Sequence, residues 1–328
     1  PMLSYLSTAF QDHVRLRQKF GYKVNDGMWA FYKKIGVVDH NDRYTEHFGD
    51  PLWVYYQYCL AKGDKRSRDA IYAEGRNKMK EVDGRGVDLA SGHGKQPWDL
   101  EPRLAAKVKS YYDDAKVSLW AELTPGFVQT VPNVLAVRTL SRDREDYIAH
   151  PATGEKLAPE SVAALEGLRD AWGPNPPKGQ IVISDGLNAK AIMDEGHLSP
   201  YLEEVRKLLA EAEAPMSDKN IVVTGGRVRA GYEIGQVLFA KADPRSFRGI
   251  LHIIGERPGT MHHSYSVYIT VLKGQRWAER KVDHDVTKLV CNIADTALDP
   301  REAARETITI IRELVGKKVN NSRLLGKR

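Results

Sequence analysis

The sequence predicts an α/β protein whose main part is an open, mostly parallel, Rossmann-like sheet with flanking helices. The first observation is a set of three β-rich runs that each end in small or glycine residues, QIVISDGLNAKAI (180–192), NIVVTGGRVRAGYEIGQVL (220–238) and ILHIIGERPGTM (250–261). The second is that helical patterns separate the first two runs and follow the second. Strand, tight turn, helix and strand is the order of βαβ units, whose right-handed crossovers make the strands parallel.

Two further elements complete the predicted layer. The run SVYITVL (266–272) has the β-branched and aromatic composition of a strand. A closing helix is predicted to begin with Asp299 as its cap and Pro300 at its first helical position. A helix before the first run, APESVAALEGLRDAWG, is predicted to close at Gly173.

The part of the chain before this layer reads as mostly helical. After MLSYL, which resembles a strand, Ser7 or Thr8 can cap a helix that runs to about Lys19 and stops at Gly21. Asn25 or Asp26 can cap a second helix that Gly36 stops. The remaining segments are a turn-rich boundary (39–51), a charged helix or linker (62–80), a glycine-rich loop (84–97) that contains His93, and a helix (101–121).

Composition limits the classes of function. The net charge of +6 over 328 residues is typical of a solvated surface, so no nucleic-acid partner is predicted. No run of about eighteen apolar residues occurs and the first residues do not form a signal peptide, which predicts a soluble protein with no membrane partner. The two cysteines, Cys59 and Cys291, indicate neither a disulfide framework nor a zinc site, as expected for a reducing, cytoplasmic location.

The turns that follow the three runs indicate where a ligand would bind. Parallel strands bring their carboxyl ends to one edge of the sheet, and open α/β sheets bind ligands at that edge. We therefore expect Asp185–Gly186, Gly225–Val228 and Gly255–Arg257 to line one crevice. Glycine in such turns and an aspartate at a helix cap are also ordinary features of α/β domains.

Motifs that would name the ligand are absent. The sequence has no G-x-G-x-x-G after a strand, no P-loop, no G-x-S-x-G and no H-E-x-x-H. His252, His262 and His263 cluster near the third turn, but they lack Cys or acidic neighbours at ligand spacing, so no metal site is predicted. The residues alone support an α/β domain with a polar small-molecule crevice, and an enzyme for a nucleotide-like ligand remains one alternative.

Longer stretches carry a family resemblance. IVISDGLNAKAI, GGRVRAGYEIGQVL, IIGERPG and CNIADTALDPREAARETI, together with DREDYIAHPATGEKLAPESVAAL upstream, resemble the small subunit of the adenosylcobalamin-dependent ethanolamine ammonia-lyase over roughly residues 85–315. MLSYLSTAFQDHVRLRQKFG, MWAFYKKIGV and GDP are similar to the end of the large, TIM-barrel-type subunit of the same enzyme. The chain therefore resembles the rear of a large–small fusion. Its start at Pro1 is expected to lie inside a longer polypeptide, or else the rest of the barrel is expected to lie on a separate chain.

The resemblance implies three domains, a cofactor and a set of contacts. It makes 1–55 the end of the barrel subunit, 56–145 a linker and helical segment, and 146–328 the cobalamin-binding, Rossmann-like domain. Adenosylcobalamin would contact Met2, Val228, Glu256 and Cys291. The family's cysteine lies shortly before a Ser-Asn-Ile sequence. When KLVCNIA is aligned with the family pattern on Asn292-Ile293, Leu289 occupies the position of that cysteine and Cys291 follows two residues later.

The implied reaction is the radical conversion of ethanolamine, or a related vicinal amino alcohol, to an aldehyde and ammonia. The substrate-holding residues belong to barrel segments that this sequence does not contain, so no catalytic residue is predicted here. The resemblance also implies a catalytic barrel partner, a higher homo-oligomer, and a cytoplasmic or bacterial-microcompartment location. A non-catalytic corrinoid-binding module is a further alternative.

Overall fold

A computed structural model describes residues 26–43, 45–47, 50–84, 102–259 and 263–316. The chain divides into two compact units, with the boundary between Ser110 and Tyr111. The predicted strand MLSYL, the helix to Lys19 and the loop around His93 lie outside the described residues.

The first unit is helical over its described residues. It contains α1 (Asp26–Lys34), α2 (Pro51–Ala61), α3 (Arg68–Asp83) and the start of α4 (Pro102–Trp120). The predicted stop of α1 is confirmed, because Gly36 has a φ of +74° that side chains with a Cβ rarely adopt. Asp50 caps α2 by accepting a hydrogen bond from the Leu52 amide at 2.9 Å, and Ser67 caps α3.

The sequence prediction missed α2, predicted α1 and α4 as helices, and described most of the segment that contains α3 as a charged helix or linker. The run before Pro51 is turn-rich, and no capping box signals the helix behind it. A small core holds this unit together, in which Trp29 and Tyr32 of α1 are buried and Trp53 of α2 packs against them. The indole nitrogen of Trp53 donates a hydrogen bond to the Ile35 carbonyl at 2.6 Å, so the two helices are joined by a polar contact as well.

The second unit is the predicted α/β layer. Its strands are β1 (Val134–Arg138), β2 (Gly179–Ser184), β3 (Met216–Thr224), β4 (Phe247–Gly255), β5 (Tyr265–Lys273) and β6 (Lys288–Ile293). Its helices beyond α4 are α5 (Pro125–Thr130), α6 (Arg144–Ala149), α7 (Pro159–Ala171), α8 (Ala189–Met193), α9 (Leu198–Glu211), α10 (Val228–Leu238), α11 (Gly274–Ala278) and α12 (Pro300–Leu314). Asp299 caps α12 with Pro300 behind it, as predicted.

The six strands form one sheet in the order β1-β3-β2-β4-β5-β6. The first four are parallel, which confirms the pairing predicted for the three β-rich runs. β5 is antiparallel to both β4 and β6, so the sheet is mixed. Every residue of β2 is buried, as expected for the centre of a sheet that is covered on both faces.

Helices cover both faces of the sheet. On one face α9 and α12 pack over Ile183 and Val222. On the other face α7 and α10 pack over Val182 and Val223. Because consecutive strand residues point to opposite faces, these neighbouring positions supply both cores.

β1 and β6 were not predicted. β1 has five residues and only one of them, Val137, is buried, so its apolar signal is short. β6 is an edge strand with two buried residues among six, Val290 and Ile293, and its polar positions hide the alternation. Edge strands bury fewer residues than central ones and therefore leave a weaker pattern.

Candidate functional site

A crevice of about 280 Å³ opens where β2 and β4 end and α10 begins. From β2 the chain crosses to β3 on one side, and from β3 it returns to β4 on the other side of β2. The carboxyl ends of β2 and β4 therefore flank the point where the strand order reverses, which is where open α/β sheets bind ligands. The three predicted turns each contribute to the lining of this crevice.

Two glycines let the floor of the crevice form. Gly186 has a φ of +54°, and a Cβ there would lie 2.1 Å from the Gly255 carbonyl oxygen. A Cβ on Gly255 would lie 2.1 Å from the Asn188 carbonyl oxygen. The backbones after β2 and β4 are thus in direct contact, and neither position has room for a larger residue.

Asp185 ties the turns together from below. Its carboxylate is fully buried and accepts hydrogen bonds from the amides of Gly225 (3.3 Å) and Gly226 (3.1 Å). Arg144 of α6 also binds this carboxylate, with its Nη1 3.1 Å from Asp185 Oδ2. Burial raises the pKa of Asp185 to about 6, although Arg144 and the two amides favour the ionised form. Asp185 is therefore a structural link between β2, β3 and α6.

Arginines give the crevice wall positive charge. The Arg227 guanidinium lies 4.5 Å from the centre of the Tyr147 ring and donates to the Tyr147 carbonyl at 2.9 Å. Its Nε is buried and finds no hydrogen-bond partner within the described part of the chain. Arg257, in the turn after β4, is exposed in the same lining.

Arg229 is held by two carboxylates. It lies 3.0 Å from Glu155 and 3.2 Å from Asp283, so it bridges the short helix Thr153–Glu155 and the segment before β6. The pKa of Asp283 is lowered well below its ordinary value, first by hydrogen bonds from His284 and then by Arg229. This network fixes one side of the crevice.

The structure places two of the predicted contact residues together. Val228, the first residue of α10, and Glu256, the residue after β4, both line the crevice and both are half-buried. The Glu256 amide donates to the Ser264 carbonyl at 3.0 Å, which holds the turn after β4 against the start of β5. Met2 lies outside the described residues.

Cys291 is not in the lining. It is an exposed residue of β6, and the register of β5 with β6 sets Leu289 opposite Tyr268. The register slips by one residue between Tyr265 and Val267, which is where Cys291 and Asn292 form a bulge on the facing strand. Asn292 has a φ of +60°, consistent with such a bulge. Leu289, the alternative position that the family pattern suggested, is also outside the lining, although it pairs with the lining residue Tyr268.

Sequence reasoning missed the aromatic part of the wall. Tyr268 of β5 lines the crevice and lies edge-on to His284, with 6.3 Å between ring centres. Burial raises the pKa of Tyr268 to about 12, and Glu256 and Cys291 add to the shift. The alternation in SVYITVL could have identified Tyr268 as part of the more polar face of β5, together with Ser266 and Thr270. His284 begins a short 3-10 helix, His284–Val286, that was not predicted from the sequence.

Three histidines were considered as metal ligands, and the two that the structure describes lie in separate places. His252 is buried, with Nε2 at 2.8 Å from the Ser184 hydroxyl, and burial lowers its pKa to about 4. His263 lies between Asp194 (2.6 Å) and Asp114 (3.0 Å), and His262 is outside the described residues. No group of three or more His, Cys, Asp or Glu side chains within the described ranges is arranged to hold a metal ion.

These features define an α/β protein with a polar ligand crevice at a topological switch point. Comparison with known families then identifies the chain as a member of the ethanolamine ammonia-lyase light chain family, whose family model matches residues 88–324. A second family model, for the ethanolamine ammonia lyase large subunit, matches residues 1–47. No helix in the described ranges is long and apolar enough to cross a membrane.

Individual relatives agree with this family. The chain is 31% identical over 189 residues to an ethanolamine ammonia-lyase small subunit from Bradyrhizobium diazoefficiens, an alignment that covers 57% of this chain and 65% of the relative. It is 27% identical over 190 residues to that of Xanthomonas campestris, covering 57% and 64%, and 33% identical over 140 residues to that of Pseudomonas fluorescens, covering 42% and 46%. The chain thus spans less than two thirds of the length of these relatives.

Proposed function

We propose that this chain is the cofactor-holding component of an ethanolamine ammonia-lyase. The observation that carries the proposal is the meeting of Val228 and Glu256 in one crevice. The family resemblance implies a cofactor contact for both residues, and they lie on different elements that follow β3 and β4. A switch-point crevice is also the place where this class of sheet binds ligands.

The crevice residues suit one edge of a corrinoid. The amide groups around a corrin ring are hydrogen-bond donors and acceptors, so the Glu256 carboxylate can accept there and the Tyr268 hydroxyl can donate or accept. The buried, unpartnered Nε of Arg227 is a further donor on the same wall. Val228 supplies apolar contact. A volume of about 280 Å³ holds only part of so large a cofactor, so the remainder would be covered by a partner.

The proposed partner is a barrel-forming large subunit, of which residues 1–55 would be the end. The large-subunit match to residues 1–47 supports this arrangement. Bound adenosylcobalamin would supply the radical that takes hydrogen from the amino alcohol, and the products would be an aldehyde and ammonia. This chain would orient the cofactor and exclude water from one side, while substrate-holding residues would come from the barrel. A Rossmann-like domain at 146–328 and a linker and helical segment at 56–145 remain part of the proposal, with β1 joining the sheet from the second of these segments.

The test is a titration of cobalamin into the chain combined with the large subunit, followed by the corrin absorption spectrum. We expect Glu256→Ala to weaken binding by roughly ten- to a hundredfold, because a charge-assisted hydrogen bond contributes roughly 1.5–3 kcal/mol and each 1.4 kcal/mol is about tenfold in affinity. Glu306→Ala is the matched control, since Glu306 is an exposed glutamate of α12 outside the crevice lining. Equal affinity of wild type and Glu256→Ala would contradict the assignment of the crevice.

A nucleotide-like ligand is the second candidate. Arg227 and Arg257 line the crevice, and the N-terminus of α10 has no side-chain cap, so its first amides can meet an anion. ATP or NAD would then raise the melting temperature of the chain without any corrinoid. A shift with ATP and none with cobalamin would favour this second function.

A further inference from the structure

A second cavity lies at the opposite edge of the sheet, and the proposed function does not use it. It has a volume of about 410 Å³ and is formed by the amino-terminal ends of β3 and β4 and the carboxyl-terminal turns of α9 and α12. We call it the amino-edge cavity. Its size lies within the range of about 300–1,000 Å³ that is typical of small-molecule sites.

The interior of the amino-edge cavity is apolar. Leu209 of α9, Met216 of β3, Val271 of β5 and Ile311 of α12 contribute to its lining. Phe247, the first residue of β4, also lines it and keeps 36% of its surface exposed. Covering such a surface with an aliphatic group is favourable by roughly 25 cal/mol for each Å² removed from water.

The mouth of the cavity carries three cations. Lys178, Arg245 and Arg312 all line it and all are exposed. Within the described residues, none of the three charged groups has an ion-pair or hydrogen-bond partner, which contrasts with the paired Arg229 on the crevice side. Glu213 is the acidic residue in the lining.

The charges around the mouth of the cavity indicate the charge of the ligand that would bind there. Lys178, Arg245 and Arg312 contribute three positive charges and Glu213 contributes one negative charge. The carboxyl-terminal ends of α9 and α12 add about half a negative charge each. The side chains outweigh the two helix ends, which leaves a net charge of about +1 at the mouth.

From this combination we propose that the amino-edge cavity binds an amphipathic monocarboxylate. Its aliphatic chain lies against Leu209, Val271 and Ile311, and its carboxylate meets the cations at the mouth. Arginine is well suited to this role because its planar guanidinium can bind both oxygens of a carboxylate. The site is separate from the crevice, so it does not depend on the proposed lyase function.

The last residues of the chain are the main competitor for this cavity. Residues 317–328 follow directly after Gly316, and Val315 is part of the lining. This segment contains no acid and five basic residues, Lys317, Lys318, Arg323, Lys327 and Arg328. Its charge is of the same sign as the mouth, so charge complementarity favours an anion.

The test uses calorimetric titration of the full chain with octanoate, octan-1-ol and octylamine. We expect octanoate to bind at least ten times more tightly than the neutral alcohol or the amine. The double variant Arg245→Gln, Arg312→Gln should lose this preference while its affinity for octan-1-ol is unchanged. Lys207→Gln is the control, because Lys207 is an exposed cation on α9 that does not line the cavity.

A second variant separates loss of the site from loss of the fold. Ala214→Phe adds volume to the lining and should abolish octanoate binding without lowering the melting temperature by more than a few degrees. Absence of octanoate binding to the full chain would overturn the proposal, as would equal affinity for the three ligands. Binding only by a chain that ends at Gly316 would also overturn it, since residues 317–328 would then be the occupant.

Discussion

Replacing His252 with glutamine is expected to remove a pH-dependent loss of stability. His252 lies on β4 beneath the crevice, is 1% exposed, and its Nε2 is 2.8 Å from the Ser184 hydroxyl. Burial lowers its pKa from 6.5 to about 4. A glutamine amide can keep a hydrogen bond to Ser184 but does not titrate.

The direction follows from which state binds the proton. Between pH 6.5 and about 4 the unfolded chain protonates His252 and the folded chain does not, so the free energy of unfolding falls as the pH falls. Across the full interval the free energy of unfolding falls by about 3 kcal/mol, since each unit of difference between the two pKa values contributes about 1.4 kcal/mol. The contribution of His252 is therefore complete above pH 6.5 and is lost by about pH 4.

Asp185 acts in the opposite direction over almost the same interval. Its pKa in the folded chain is raised from 3.8 to about 6, so the folded state binds the proton more tightly and the free energy of unfolding rises as the pH falls. In the wild type these two contributions oppose each other between about pH 4 and 6. Removing His252 leaves the Asp185 contribution, and the variant should become more stable relative to wild type on acidification.

The assay is urea unfolding at several pH values from 8 to 4.5, followed by tryptophan fluorescence. The quantity of interest is the difference in unfolding free energy between His252→Gln and wild type, which should shift in favour of the variant by 2–3 kcal/mol across this range, roughly as worked above. His40→Gln is the control, because that histidine is exposed and its ring is hydrogen-bonded to the side-chain amide of the neighbouring Asn41. A difference that does not vary with pH would refute the reasoning that His252 is buried in its neutral form.

Two further predictions concern the crevice. Arg144→Met should lower the free energy of unfolding by about 3–5 kcal/mol in urea titrations, because it leaves Asp185 buried without its cation. Arg138→Met, which removes one member of an exposed ion pair, should lower it far less. In cobalamin titrations with the large subunit, Leu289→Ala should weaken binding more than Cys291→Ser, because Leu289 pairs with Tyr268 of the crevice wall. A larger loss of affinity in Cys291→Ser would instead indicate that the thiol makes the contact.

Much of the sheet could be predicted from the sequence because its central strands are buried on both faces. β2 and β4 are runs of buried, mostly apolar residues that lead into turns containing glycine, and this signal does not depend on distant contacts. β1 and β6 were missed because few of their residues are buried. The antiparallel direction of β5 was also not predicted, since SVYITVL has the same composition in either direction.

The site was predictable where it depends on topology and not where it depends on register. The expectation that Glu256 and Val228 would share a crevice follows from parallel strands that end at one edge, and the structure places them so. Tyr268 and His284 enter the same lining from β5 and from the segment before β6. Their positions depend on the pairing of an antiparallel edge with a bulge, which no local pattern in the sequence specifies.

The two kinds of residue in the crevice should respond differently to substitution. The floor is backbone that depends on Gly186, Gly255 and the buried Asp185, so changes there alter the fold itself. The wall consists of half-buried or exposed side chains, such as Val228 and Glu256, whose removal leaves the floor intact. Ligand preference in this chain can therefore change through the wall while the switch-point geometry is retained, which is why the arginines and Tyr268 are the residues that should decide between a corrinoid and a nucleotide.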